Sequence, residues 1–223
     1  MPGRGADRSL VAGHDLMAKP SKQKPKAKPK TLAATDPNHP ESWLYLLSEN
    51  TLTFGVLRST FKDRTNSAVE FGRRKLQPVQ PPPTEPDGIT AERVDVILPD
   101  GAEDQFARPL PFLEGCDEMQ VNPGILVYLT IPTPDVDRMH HAWEKGRAFA
   151  RILADERGLA TLLIQHSPGR VSSLNHPHLH LLICPRKTAK AGLRYGGLDN
   201  ELLYNDGARV LVERWAEFTE TGN

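Results

Sequence analysis

Residues 176–186 read HPHLHLLICPR, and this stretch decides the fold of the chain. Side chains two apart on a β-strand point to the same face, so His178 and His180 project together while the leucines between and beyond them enter a core. Upstream, the apolar run 160–165 (ATLLIQ) ends at His166. If the two runs pair as an antiparallel hairpin, the end of the first lies beside the start of the second. The sequence therefore predicts a site formed by His166, His178 and His180.

The bulk composition predicts one substantial domain preceded by an unfolded arm. The chain has 223 residues, with 28 basic and 28 acidic side chains, 20 prolines and 17 glycines. Residues 19–30 (KPSKQKPKAKPK) contain six lysines and no acid. We therefore expect residues 1–40 to be a disordered basic arm, which would also add salt-dependent affinity for nucleic acid. The remainder, 41–223, is expected to form an α+β domain with a proline-rich loop at about 77–88.

Cysteine usage and hydropathy favour the cytoplasm. Cys116 and Cys184 match no metal-binding spacing and no disulfide framework, which is typical of a reducing compartment. The chain contains neither the apolar core of a signal peptide nor an apolar run of about 18 residues, so we expect no membrane association.

The hydrophobic pattern predicts an antiparallel β-sheet with helices on one side. A short helix followed by a strand near 51–58 is expected first, and then a helix capped by Asn66 or Ser67. Further along we predict a strand at 94–98, a loop over 100–122, a strand at 125–131, a helix from Thr133 and Pro134 to about Gly158, the two histidine strands, and helix over 200–220.

The three histidines are best explained as metal ligands. A single histidine in a core strand is more often a hydrogen-bonded structural residue, but here two share one strand face and a third converges on them. Neutral imidazoles leave the full charge of a divalent ion available, which suits an anionic substrate such as a phosphodiester. The ion is Mg, Mn or Zn; the residues leave this open. His176, which lies before Pro177 at the loop end, is expected outside the ligand set.

These residues resemble the metal-binding block of the HUH relaxases, specifically the MobA/MobL type of plasmid mobilisation nuclease. The match consists of His166, then residues 175–180 (NHPHLH), Arg186, and residues 212–217 (VERWAE), within a region of about 124–218. The resemblance implies a relaxase-like fold and metal-dependent nicking and strand transfer on single-stranded DNA at a transfer origin. It also implies accessory mobilisation proteins as partners.

The chain departs from this family at the nucleophile. Relaxases of this type carry a tyrosine on the helix after the first strand, but the comparable segment, 66–74 (NSAVEFGRR), has none. The candidates are Tyr45, by chain order among relaxases, and Tyr204, by analogy with replication initiators, and we slightly prefer Tyr204. Tyr128 is expected in the core. Loss of strand transfer with metal and DNA binding retained is the other possibility.

Two rival functions are compatible with the sequence. One is a histidine-triad nucleotide hydrolase or transferase with His178 as nucleophile, although Pro177 and His166 fit that family poorly. The other is a non-catalytic DNA-binding mobilisation protein on the same fold. Single-stranded DNA is expected to contact a set of basic residues that could otherwise simply solvate the surface: Arg58, Lys62, Arg64, Arg73, Arg74 and Lys75, to which the resemblance adds Arg186.

Overall fold

A computed structural model describes residues 42–49, 52–61, 64–119, 121–134, 138–171, 176–204 and 206–221. Its centre is a six-stranded sheet with the strand order β1-β2-β6-β8-β7-β5. The strands are β1 (Trp43–Glu49), β2 (Leu52–Arg58), β5 (Arg93–Ile97), β6 (Gly124–Pro132), β7 (Leu159–His166) and β8 (His178–Lys187). Every neighbouring pair is antiparallel, which confirms the predicted α+β class.

Five helices and a small second sheet complete the described architecture. The helices are α1 (Ala68–Leu76), α2 (Pro109–Met119), α3 (Met139–Arg157), α4 (Asn200–Leu203) and α5 (Asp206–Glu220). The strands β3 (Thr60–Phe61) and β4 (Arg64–Thr65) form a two-stranded sheet. None of the described helices is long and apolar enough to cross a membrane.

Helices cover both faces of the sheet, not one as the sequence predicted. On the face that carries the three histidines, called here the histidine face, Leu126, Tyr128, Leu162, Ile164, Leu182 and Cys184 pack against α1 and α2. On the opposite face, Val127, Leu129, Leu163, Leu179, Leu181 and Ile183 pack against α3, α4 and α5. Because central strands with two covered faces are apolar throughout, these runs lack the polar alternation of a half-exposed sheet.

Several predicted element boundaries are confirmed. Ser67 is the N-cap of α1, where its side chain accepts a hydrogen bond from the backbone N–H of Glu70 at 3.2 Å. Helix α3 ends at Gly158, whose φ of 69° is the left-handed conformation that glycine adopts without steric cost. Strand β5 lies one residue from its predicted position.

The segment predicted as the first helix is strand β1. It pairs with β2, and Trp43 lies opposite Leu57 on the histidine face. Trp43 is buried and contacts Phe71 of α1 edge to face at 5.4 Å between ring centroids. Since the run WLYLL is apolar at every position, its pattern does not distinguish a helix from a strand, and pairing with β2 decides it.

The region 100–122, predicted as a loop, contains helix α2. Pro109 and Pro111 lie in its first turn, where the missing N–H groups need no intrahelical partner. Phe112, Leu113 and Cys116 are fully buried between the sheet and α1. The two prolines and Gly115 disfavour a helix in the sequence pattern, but burial of these side chains stabilises it.

Two further helix boundaries differ from prediction. Thr133 does not cap α3, because its backbone N–H donates to the carbonyl of Pro177 at 2.8 Å and the helix begins at Met139. The predicted helix over 200–220 is divided at Tyr204 into α4 and α5. Asp135 and Asp137, which a helix begun at Thr133 would contain in its first turn, lie outside the described residues.

The proline-rich loop contains no helix or strand between residues 77 and 92. The Gln77 side-chain amide donates to the carbonyls of Pro86 and Gly88 at 2.9 and 3.1 Å. The backbone N–H groups of Thr90 and Ala91 both donate to the carbonyl of Leu76. These bonds hold the loop against the end of α1. The predicted disordered arm, residues 1–40, lies outside the described residues.

Candidate metal and nucleic-acid site

The structure brings His166, His178 and His180 together on the histidine face. His166, the last residue of β7, lies directly opposite His178, the first residue of β8. His180 follows two positions later, with its ring centroid 4.6 Å from those of both other histidines. One ring nitrogen from each residue lies within 4.8 Å of the others. The antiparallel register and the two-residue repeat of a strand produce this arrangement.

Backbone carbonyls fix which nitrogen carries the proton in two of the three imidazoles. His166 Nε2 lies 2.6 Å from the carbonyl oxygen of Lys75, and His178 Nδ1 lies 2.8 Å from that of His176. A carbonyl only accepts, so each of these nitrogens must donate. The lone pairs are therefore on Nδ1 of His166 and Nε2 of His178, where a metal would be bound.

His180 has hydroxyl partners, which permit either tautomer. Its Nδ1 lies 2.9 Å from the Tyr128 hydroxyl and 3.0 Å from that of Thr130, and its Nε2 lies 3.2 Å from Nε2 of His178. A hydroxyl both donates and accepts. Without metal, His180 Nε2 can donate to the lone pair of His178. To hold a metal through Nε2, His180 would carry its proton on Nδ1, which would donate to a hydroxyl.

Burial keeps all three imidazoles neutral. It lowers the pKa of His166 to about 4, partly offset by the hydrogen bond to Lys75. Burial also lowers the pKa of His178, and that of His180 well below its usual value. The positive charge of Lys75 acts in the same direction on each of them. Neutral imidazole is the form that binds a metal, so these ligands need not lose protons at neutral pH.

The three residues fit a metal ion by their chemistry. Each has one nitrogen oriented by a protein oxygen and the other free to face a common centre, which is the arrangement found around metal-binding histidines. Within the described residues, no carboxylate or thiolate belongs to this cluster. An all-imidazole set suits Zn²⁺ better than Mg²⁺, which prefers oxygen ligands.

Helix α1 brings a cation to the histidines. Its last turn contains Arg73, Arg74 and Lys75. The Lys75 ammonium lies 5.2 Å from the ring centroid of Tyr128 and 5.5 Å from that of Phe71. Burial, and to a lesser extent Arg74, lowers the pKa of Lys75 to about 8, which leaves most of the amine protonated at pH 7.

The other predicted nucleic-acid residues are spread over the histidine face and its far end. Arg73 forms an ion pair with Asp87 at 2.6 Å, and Arg74 is exposed beside it. Arg58 pairs with Gly124 and Arg186 lies six positions after His180, so both are about 20 Å along the strands from the histidines. Lys62 and the side chain of Arg64 lie outside the described residues.

The two tyrosines predicted as nucleophiles are not brought to the histidines. Tyr45 pairs with Val56 on edge strand β1 and packs against the core of the opposite face. Tyr204 ends α4, whose leucines enter that same core. Helix α4 is also attached at the far end of β8, where Asp199 N–H donates to the carbonyl of Pro185, about 17 Å along the strand from His180.

Sequence reasoning missed the role of Tyr128, which was expected only in the core. Tyr128 is buried, as predicted, but its hydroxyl contacts His180, and burial raises its pKa to about 12. The pattern alone shows that Tyr128 and Thr130 share a strand face, in the same way as the histidine pair. What the pattern did not give was the pairing of β6 with β8, which sets Thr130 opposite His180.

Comparison with known proteins gives a partial similarity to solved structures. No protein-family model and no curated protein matches the chain. A solved structure described as "Molecular Basis of Vancomycin Resistance Transfer in Staphylococcus aureus" is similar with a TM-score of 0.47 and 19% sequence identity. The similarity covers 58% of this chain and 68% of that one.

Proposed function

We propose that this chain is a metal-dependent single-stranded DNA-binding protein of the HUH relaxase type that acts in plasmid mobilisation. The observation that carries the proposal is the convergence of three neutral histidines whose remaining nitrogens are each hydrogen-bonded to a protein oxygen. It agrees with the NHPHLH motif on which the resemblance to relaxases rests.

The ligands would be Nδ1 of His166 and Nε2 of His178 and His180. When bound, the metal supplies positive charge that polarises a phosphodiester oxygen. We infer that Zn²⁺ binds more tightly than Mg²⁺ or Mn²⁺, because all three protein ligands are imidazole nitrogens.

DNA would enter across the histidine face. Lys75 lies at the histidines, and Arg73 and Arg74 extend the positive charge along the last turn of α1. Arg58, Lys62, Arg64 and Arg186 would contact more distant phosphates, and the lysine-rich arm would add affinity without sequence preference. Accessory mobilisation proteins would be further partners, as the resemblance to relaxases implies.

Strand transfer by this chain would require a tyrosine at the metal. The tyrosine oxygen would bond to phosphorus, the bond from phosphorus to the 3′ oxygen would break, and that oxygen would take a proton. Of the proposed nucleophiles, Tyr45 packs on the opposite face of the sheet, and Tyr204 directly follows α4, whose leucines pack on that face. This placement favours a second candidate function: DNA binding without cleavage.

A single assay separates the candidates. The protein is incubated with Zn²⁺ or Mn²⁺ and labelled single-stranded DNA carrying a transfer origin, then run on a denaturing gel. A covalent adduct lost in Tyr204→Phe or in Tyr45→Phe identifies a relaxase and its nucleophile. Metal-dependent binding without an adduct identifies the binding-only protein. Absence of both, with hydrolysis of an adenosine phosphoramidate, would instead support the histidine-triad enzyme.

A further inference from the structure

Lys75 is the one basic side chain of α1 that turns inward to the histidines. Its neighbour Arg73 turns away to Asp87, whereas the Lys75 ammonium lies over the rings of Phe71 and Tyr128. The Tyr128 hydroxyl contacts His180, and the Lys75 carbonyl accepts from His166. The same residue therefore touches the histidine cluster through its backbone and lies beside it through its side chain.

No acidic side chain in the described part of the chain pairs with the Lys75 ammonium. It lies over two aromatic faces, which attract the cation without accepting its N–H groups. Lysine has three N–H donors and no acceptor. The side chain is half-buried. A cation held in this way retains donors for an anion.

If a metal ion occupied the histidine cluster, the nearby positive charge of Lys75 would be unfavourable in the absence of an anion. The three imidazoles are neutral and cancel none of the ion's charge, so the ion and the ammonium repel each other across a partly buried site. An anion in contact with both removes the repulsion and adds a charge-assisted hydrogen bond.

We propose that Lys75 and the metal held by His166, His178 and His180 together bind one phosphodiester group of single-stranded DNA. The proposal rests on the proposed function and specifies which phosphate contact defines the site. In it, the other basic residues bind neighbouring phosphates through solvent-exposed charges, and Lys75 alone shares a phosphate with the metal.

This arrangement predicts that removing the charge of Lys75 has opposite effects on the two ligands. In Lys75→Met, which keeps an apolar stem of similar length over the two rings, Zn²⁺ affinity without DNA should rise at least about threefold, because repulsion is lost. Affinity of the Zn²⁺-loaded protein for a 12-nucleotide oligothymidylate should fall about tenfold, because a hydrogen bond to a charged phosphate is lost. A residue that only supports folding would weaken both.

The experiment measures Zn²⁺ binding by calorimetry and oligothymidylate binding by fluorescence anisotropy in the full-length protein. Lys145→Met, which removes one exposed lysine of α3 on the opposite face, is the charge-matched control and should change neither affinity. Lys75→Arg, which keeps the charge, should retain most of the DNA affinity. Circular dichroism establishes that each variant is folded.

The outcomes distinguish this inference from the proposed function. If the unsubstituted protein binds neither Zn²⁺ nor the oligonucleotide, the proposed function fails. If it binds both, and Lys75→Met behaves like Lys145→Met or weakens both affinities together, the shared phosphate site is wrong. Tighter Zn²⁺ binding combined with weaker DNA binding supports it.

Discussion

At the residue scale, His176 and His178, which are two positions apart, take different parts in one candidate site. His178 contributes an imidazole, whereas the exposed His176 contributes the carbonyl that receives the His178 Nδ1–H. Because His176 acts through its backbone, we expect its side chain to be dispensable for metal binding, although it lies as close in sequence to His178 as His180 does.

We expect His178→Ala to abolish Zn²⁺ binding, since only two imidazoles would remain. His176→Ala, made as the matched control, should leave Zn²⁺ affinity within about threefold, because the backbone acceptor is retained. Isothermal titration calorimetry on the two variants tests this. Comparable losses in both would mean that the His176 ring is itself a ligand.

The hydroxyl of Tyr128 should tune the metal site through His180. Removing an oriented partner of a ligating histidine typically weakens metal binding about 10- to 100-fold, and Thr130 retains one acceptor here, so Tyr128→Phe should cost about tenfold. Tyr195→Phe, an exposed tyrosine beyond the end of β8, is the control. An unchanged Zn²⁺ affinity in Tyr128→Phe would show that Thr130 alone orients the ring.

Burial of the histidines should make chelator-treated protein less stable in acid. The folded-state pKa of His166 is depressed, so the unfolded chain binds a proton first as the pH falls. The contribution of neutral His166 to the free energy of unfolding is fully present above about pH 6.5. It is lost as the pH falls through about 4. Because the pKa of His166 is about 4, protonation of this residue alone should lower the free energy of unfolding by up to about 3 kcal/mol.

Urea denaturation between pH 7 and pH 4 measures this effect, with His166→Gln as the comparison. The variant should show a shallower loss of unfolding free energy over that range. Parallel curves for the two proteins would mean that His166 titrates normally in the folded state.

At the element scale, close contact between α1 and α2 sets where Lys75 lies. A methyl group built on Gly72 would overlap the side chain of Leu113 in α2. Asp117 of α2 accepts hydrogen bonds from the Ser67 hydroxyl at 2.6 Å and from the backbone N–H groups of Ala68 and Val69. Helix α2 thus holds the start of α1, and the end of α1 is held by His166.

Substitution of Gly72 by alanine should therefore act on both stability and the site. Overpacking costs about 1–3 kcal/mol, which lowers Tm by roughly 3–10 °C. The displaced helix should also weaken Zn²⁺ binding, because Lys75 O orients His166. Gly169→Ala, at a position with nothing nearby, should change neither quantity. A Tm unchanged by Gly72→Ala would contradict the close packing of the two helices.

The same elements show which parts of the fold were readable from sequence. The histidine hairpin was predicted because a two-residue repeat, a polar loop and two apolar runs constrain it locally. Helix α2 was not predicted, because prolines in its first turn suggest a loop. The helix is stabilised by tertiary packing, in which Phe112 and Leu113 are buried. The prediction of a helix in place of β1 was wrong for the same reason. Its apolar run fits a helix or a strand, and pairing with β2 decides between them.

For the site, the ligands were predictable and their surroundings were not. His178 and His180 follow from spacing on one strand, and His166 from adjacency. The position of Lys75 comes from the packing of a helix that precedes His166 by 91 residues, which no local pattern contains. The strand order of the sheet, needed to place Tyr128, was equally inaccessible from a single sequence.

At the scale of the whole molecule, the three clustered histidines lie apart from the tyrosines proposed as nucleophiles. The histidines lie at one end of β8 on the α1 and α2 side. Tyr204 directly follows α4, which is attached near the other end of β8 and packs on the α3 and α5 side. Tyr204 was proposed as a nucleophile from its order in the chain. Strand β8 crosses the core, however, and its two ends are about 30 Å apart. We therefore expect any chemistry at the histidines to use groups of the histidine face.

The lysine-rich arm should contribute to DNA binding independently of that face. Replacing all six lysines of residues 19–30 by glutamine removes up to six phosphate contacts. We expect the slope of log affinity against log salt for single-stranded DNA to become shallower by up to about 4. Zn²⁺ affinity should be unchanged, because the ligands are all in β7 and β8. His178→Ala should show the reverse, with Zn²⁺ binding lost and most of the salt dependence retained. Anisotropy titrations from low to high salt measure both slopes, and an unaltered slope in the glutamine variant would exclude the arm from the DNA interface.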